Sequence, residues 1–181
     1  MARSLSPQAL GETERRVVAA WAADCAERVL PLFEAEAPDD DRPRDAIARS
    51  RAFARGELTA AGEIQRRLVA GRAAHSATSP AGMAAARAAA QAAGVAHMGA
   101  HALGAAAYAA KAVALARPDD PDARPSEIRW QLCQVSPEAM AALRRLPRLG
   151  EDLAGPLGKG LLAAGVLGET IREIQTALRV D

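Results

Sequence analysis

The segment ETERRVVAAWAADCAERVLPLFEAE, Glu12 to Glu36, sets the fold class. Val18, Trp21, Ala22, Cys25, Val29, Leu32 and Phe33 recur in it at steps of three and four, which lines them along one face of an α-helix. A strand would alternate with period two, and no stretch of the 181 residues does so convincingly. Pro31 removes one backbone donor from the pattern, which predicts a kink or a break into two pieces there.

Downstream, the acidic run Glu34 to Asp41 contains Pro38 and reads as a loop whose last residue, Asp41, can cap a helix. That helix spans Pro43 to Arg55, turns Ala46, Ile47, Ser50, Phe53 and Ala54 inward, and stops at Gly56. Thr59 opens a third helix to about His75, with Ile64, Leu68 and Val69 as its larger apolar groups. Ser79-Pro80 is a cap followed by a first-turn proline, and helical propensity then runs unbroken to Ala116 apart from Gly94, Gly99 and Gly104. So long a helix is unusual in a small domain, so a bend or break is expected near Gly94 to Gly99.

RPDDPDARP, Arg117 to Pro125, is the strongest loop signal. Helices are expected at Ser126 to Val135, at Pro137 to Leu146 and, after the loop-like LPRLGEDLAGPLG, at Leu157 to Arg179. The last presents Leu161, Leu162, Val166, Leu167, Ile171, Ile174 and Leu178, with Glu169, Arg172 and Glu173 toward water. The expectation is an all-α chain, one multi-helix bundle of about seven helices over residues 1–181, with a flexible N-terminus (1–11) and a C-terminal helical extension (147–181).

The balance of 23 basic and 22 acidic residues leaves a net charge of +1, so no global field recruits nucleic acid or an anionic membrane, and neither is expected as a partner. The weakly polar run Ala84 to Ala116 is interrupted by Arg87, Gln91, His97, His101 and Lys111, and the N-terminus lacks an apolar core of signal length. A cytoplasmic location is the expectation. Cys25 and Cys133 lie far apart among helix formers and read as reduced, buried thiols. Aromatics supply only 3% of residues while apolar residues supply 50%, chiefly alanine, so helices can approach closely with few large anchors.

No P-loop, dinucleotide, GxSxG or HExxH pattern occurs, and no cofactor is expected. His75, His97 and His101 are the three histidines, the last two spaced to stack on one helical face, and they are candidate ligand or proton-transfer residues. The competing reading is a set of hydrogen-bonded polar residues in an alanine-rich interior. Trp21, Asp24 and Arg28 stand together on the first helix, where Asp24 and Arg28 can pair with each other or with arginines of the next helix. Arg42, Arg44, Arg49, Arg51, Arg55, Arg66, Arg67 and Arg72 face only Asp45, Glu57 and Glu63 over the same stretch. This local excess is either a solvated face or a surface for an acidic partner or phosphate.

The run WAADCAERVLPLFEAEAPDDDRPRDAIARSRAFARGEL (Trp21 to Leu58), AAH at Ala73 to His75, the alanine-rich Ala85 to Ala112 and IRWQL at Ile128 to Leu132 follow one another in an order and spacing that resemble a known family. It is the immunity family 5-like group of bacterial immunity proteins associated with polymorphic toxins. The resemblance covers roughly Arg15 to Leu132 and leaves the segment after Leu146 unexplained. It implies an all-helical domain in which Trp21, Asp24, Cys25, Arg28, Arg42, Pro43, Arg44, Gly56, Glu57, His75, His97 and His101 converge, and a protein toxin as partner. Arg42, Arg44, Arg51, Arg55 and Glu57 are then the candidate interface. Two readings stand beside it: a small-molecule-binding protein or enzyme with a pocket lined by the histidines, Asp24, Trp21 and Arg28, and a homodimer formed through the apolar C-terminal helix.

Overall fold

A computed structural model describes residues 6–66 and 68–180. Among them are nine α-helices and two 3-10 turns, and no strand. The helices are α1 (Glu12–Glu34), α2 (Arg42–Ala54), α3 (Ala60–Arg66), α4 (Val69–Ala73), α5 (Pro80–Gly94), α6 (His101–Ala116), α7 (Ala123–Cys133), α8 (Pro137–Arg144) and α9 (Gly165–Ala177). The all-α class stands, with more and shorter helices than the seven expected.

The hub is α6. Every residue from Ala102 to Ala110 is buried, so the helix is apolar all round and needs neighbours on every side. These are α5, α1, α7 and α9, while α2 and α4 pack on α5, and α8 on α1. Burying an alanine methyl is worth only roughly 0.8 kcal/mol, so such a core depends on many close contacts. The antiparallel pair α5–α6 supplies them, with Ala84, Ala85, Ala88 and Ala92 of α5 and Ala102 and Ala106 of α6 all buried. Glycines tighten the pair: a methyl at Gly104 would collide with the Gln91 amide, and one at Gly94 would meet the His101 ring at 2.9 Å.

Local chemistry explains most boundaries. The Ser79 hydroxyl accepts from the Gly82 N–H at 2.9 Å and caps α5, with Pro80 in the first turn. Gly56 ends α2 at φ +83°, a left-handed conformation that costs glycine little. The break between α5 and α6 falls at residues 95–100, where it was expected.

Elsewhere the structure corrects the expectations. Pro31 neither breaks nor ends α1, which continues to Glu34. It lies in the final turns on the exposed side with Glu27, where water can serve the orphaned carbonyl. Asp41 makes no side-chain cap; its neighbour Asp40 accepts from the Arg42 N–H instead, at 3.3 Å. The segment from Thr59 to His75 is broken into α3, α4 and the 3-10 turn Ala74–Ser76. Leu68 and Val69 there are exposed, and the Ile64 side chain lies outside the described residues.

Helix α7 starts three residues early because Pro125 fits a first turn, where its missing N–H is one the helix does not use. The last helix is confined to Gly165–Ala177, with 3-10 turn Leu161–Ala163 before it. Its apolar side, Leu167, Ile171, Ile174 and Leu178, is buried inside this chain against α6. That face is therefore covered within the chain, while Leu161 ahead of it is exposed. Cys25 is buried as expected, but Cys133 is exposed at the end of α7.

Residues 6–11, assigned above to a flexible terminus, are packed; residues 1–5 lie outside the described residues. Gln8 is fully buried, donating from Nε2 to the Asp152 carbonyl at 2.9 Å and accepting from the Leu157 N–H at 2.8 Å. The carbonyls of Gln8 and Ala9 accept from the N–H groups of Ala100 and Gly99, at 3.0 Å each, at the entry to α6. The beginning of the chain thereby ties the C-terminal loop to the central hairpin.

Glu36, after α1, fastens α5. Its carboxylate accepts from the Thr78 N–H at 2.7 Å, the Thr78 hydroxyl at 2.8 Å and the Ser79 N–H at 2.8 Å, and also from the Ser79 hydroxyl. These bonds, those from Ser79 first, lower its pKa to about 2 from an ordinary 4.5. A carboxylate held below its unfolded pKa stabilises the fold above that value and loses the contribution as pH falls through the folded one. Acid unfolding monitored by circular dichroism should therefore show stability draining between pH 4.5 and about 2, and Glu36→Gln should lower Tm by several degrees at pH 7 while flattening the dependence in that window.

Candidate functional site

The polar side chains fall into three groups. The histidines form no common site. His101 opens α6 half-buried, its Nδ1 2.8 Å from Gln91 Oε1, while His97 is exposed in the turn before it and His75 is exposed after α4. The expected stacking of His97 on His101 fails because the helix ends at Gly94 and restarts at His101. Among the described residues no group of three or more His, Cys, Asp or Glu is arranged to hold a metal ion.

The second group is the seam between α1 and α2. Arg51 meets Asp24 at 2.7 Å and also pairs with Glu27, both on α1. One end further along, Arg44 takes Glu34 in a two-pronged contact of 2.8 Å at each nitrogen. Because 24 and 27 pair with 51, and 34 with 44, the helices run antiparallel and their acids and arginines mesh as a ladder. Arg42 grips Asp40 through Nε at 2.8 Å and reaches Ser76 at 3.1 Å, Arg55 grips Glu57 at 2.6 and 2.8 Å, and Arg49 holds the buried Glu63. The side chains of Arg66 and Arg67 lie outside the described residues. The positive excess inferred for this stretch is thus largely neutralised by α1, the acidic loop and α3. Exposed pairs of this kind contribute about 0–1 kcal/mol each, so the ladder orients charges more than it holds the fold.

The third group joins α1 to α7 and is the more deeply built. The Trp21 indole N–H donates to the Gln131 carbonyl at 2.8 Å in the interior. Arg28 Nε donates to Glu127 at 2.7 Å, and its guanidinium lies 4.2 Å over the Trp130 ring. Gln131 Nε2 donates to the Ala106 carbonyl at 3.1 Å and to Glu127 at 3.3 Å. Glu127 is only 1% exposed, against 41% for Arg28, so a buried carboxylate is served by an arginine reaching in from the surface. Cys25 lies beside this network. Burial, then the charges of Glu127 and Asp24, push its thiol well above its usual pKa, which keeps it a protonated, unreactive core group.

Trp21 and Arg28 thus bond to α7 with Cys25 buried beside them, whereas Asp24 pairs with Arg51 of α2. Arg42, Arg44 and Glu57 belong to the α2 side, and the histidines lie elsewhere. Glu127 was not singled out from the sequence, and Trp130 and Gln131 stood there only within the IRWQL run. Their spacing of three and four puts them on one helical face, which was the available signal.

Residues 8–138 match the family described as "Imm-5 like putative immunity protein". The chain belongs to this family. The match contains both the α1–α2 ladder and the α1–α7 network, and it ends within α8, so the C-terminal loop and α9 of this Imm-5 like chain lie beyond it. No curated protein and no solved structure gives a significant match to the chain.

Removing Arg28 leaves the Glu127 charge buried with one weak partner, whereas removing both charges does not. Urea unfolding should show Arg28→Ala destabilised by roughly 1–3 kcal/mol, less than a fully buried pair would give because Arg28 is part-exposed, and Glu127→Gln should recover part of that loss. Strict additivity of the two substitutions would show that the pair is not coupled.

Proposed function

We infer that this Imm-5 like protein binds and neutralises a partner toxin through the charged face of α1 and α2, with Arg42, Arg44, Arg51, Arg55 and Glu57 at its centre. The observation that carries this reading is the ladder itself. Its arginines are accessible, yet each is held in a fixed geometry by a carboxylate, so the surface is preorganised for a charged partner. Such a protein needs no chemistry of its own, and the hydrogen bonds that tie Trp21, Glu127 and Gln131 across α1, α6 and α7 suit a rigid scaffold.

The alternative, a small-molecule site lined by His75, His97, His101 and Asp24, receives less support. The histidines line neither the cavity of about 100 Å³ beneath α2, walled by Arg42, Arg49, Glu63, Val69, Ala70 and Ala93 among others, nor the depressions beside Arg28.

Co-expression with candidate protein toxins, read as cell survival, tests the proposal. Arg44→Ala combined with Arg51→Ala should remain folded, because exposed pairs carry little stability, and should weaken toxin binding by roughly tenfold or more. A folded double variant that protects as well as the parent would place the interface elsewhere.

A further inference from the structure

Next to the α2 ladder, and sharing its Asp24 and Glu27, lies an open depression of about 330 Å³, lined by Asp24, Glu27, Arg28, Trp130 and Gln134. Its wall is the Arg28–Trp130 stack, and Glu127 lies behind that stack. Three carboxylates, Asp24, Glu27 and Glu127, stand here against two guanidiniums, Arg28 and Arg51. With the buried Glu127 counted, the local balance is negative by one on a chain whose overall charge is +1. Trp130 is half-buried, with an accessible part of a ring that already accepts one guanidinium on its face. Arg28 thus displays what the depression recognises: a planar cation with a carboxylate at its nitrogens and an indole against its face.

The geometry points to this depression as the receptor for an arginine side chain presented by the toxin, an anchor beside the α1–α2 interface. The inference rests on the reading of the chain as an immunity-type binding protein and adds to it the chemistry of the partner's contact residue. A tryptophan flanked by charges in a concave surface is the kind of place where a few residues dominate binding. An anion would meet Asp24 and Glu27 at the rim, whereas a guanidinium shares these two carboxylates with Arg51 and gains the open part of the indole. Glu27, at 56% side-chain exposure, is the freest of these acids to take a second partner.

The test uses the full chain alone, titrated with acetylated and amidated tri-arginine peptide and, separately, tri-glutamate peptide, followed by two-dimensional ¹H–¹⁵N NMR. Tri-arginine should shift the Trp130 indole N–H and the backbone amides of Asp24, Glu27, Arg28 and Gln134 saturably, with tri-glutamate inert there. Glu27→Gln should weaken that binding by about two- to fivefold, the worth of one exposed charge pair. Trp130→Phe retains a ring and should bind more weakly than the parent but more tightly than Trp130→Leu. Saturable shifts confined to other surfaces, no shift with tri-arginine, or equal shifts with both peptides would overturn the proposal. Failure here with protection still dependent on Arg44 and Arg51 refutes only the arginine receptor. Binding here with protection independent of those two arginines refutes only the α2 interface.

Discussion

The close approach of α5 to α6 is the constraint on which the rest of the molecule depends. Two helices whose facing walls are alanine and glycine can come nearer than helices carrying leucine, and here Gly94 and Gly104 admit the His101 ring and the Gln91 amide into the contact. A core of small side chains gains little per residue, so it must gain from density. This is why α6 is enclosed by α1, α5, α7 and α9, and why even the first described residues are drawn in to occupy the α5–α6 turn. His101, which on paper resembles a ligand, belongs to this packing: its ring sits in the space that a glycine leaves open.

Charge is organised in two ways around that core. Along α1 and α2 the ion pairs are exposed, screened and individually weak, and their value lies in fixing the direction of long side chains. Between α1 and α7 a single carboxylate is fully removed from water, and the cost of its desolvation makes Arg28 and Gln131 obligatory neighbours. Helix α1 carries both arrangements on adjacent faces. Asp24 and Glu27 serve the ladder through Arg51 and also rim the depression beside Trp130, so the charged seam and the aromatic wall form one continuous surface.

The all-helical class, the faces of α1 and α2, the cap at Ser79 and the break before His101 could all be read from the residues, because each rests on interactions within a few positions of one another. Local chemistry also fixed that the arginines of α2 must find acids or water. Which acids they found could not be read, since Arg51 meets Asp24 across 27 positions and Arg28 meets Glu127 across 99. The same holds for Gln8, an unremarkable glutamine in sequence that is buried because the loop at 152–157 offers it a carbonyl and an N–H. Spacing misled for His97 and His101, where a regular helix was assumed across a turn, and for Pro31, whose missing donor falls where water can compensate. Periodicity and caps are properties of neighbouring residues and were present in the chain from the start, whereas the partner of a buried charge is chosen by how helices pack, and packing becomes defined only when the whole core closes.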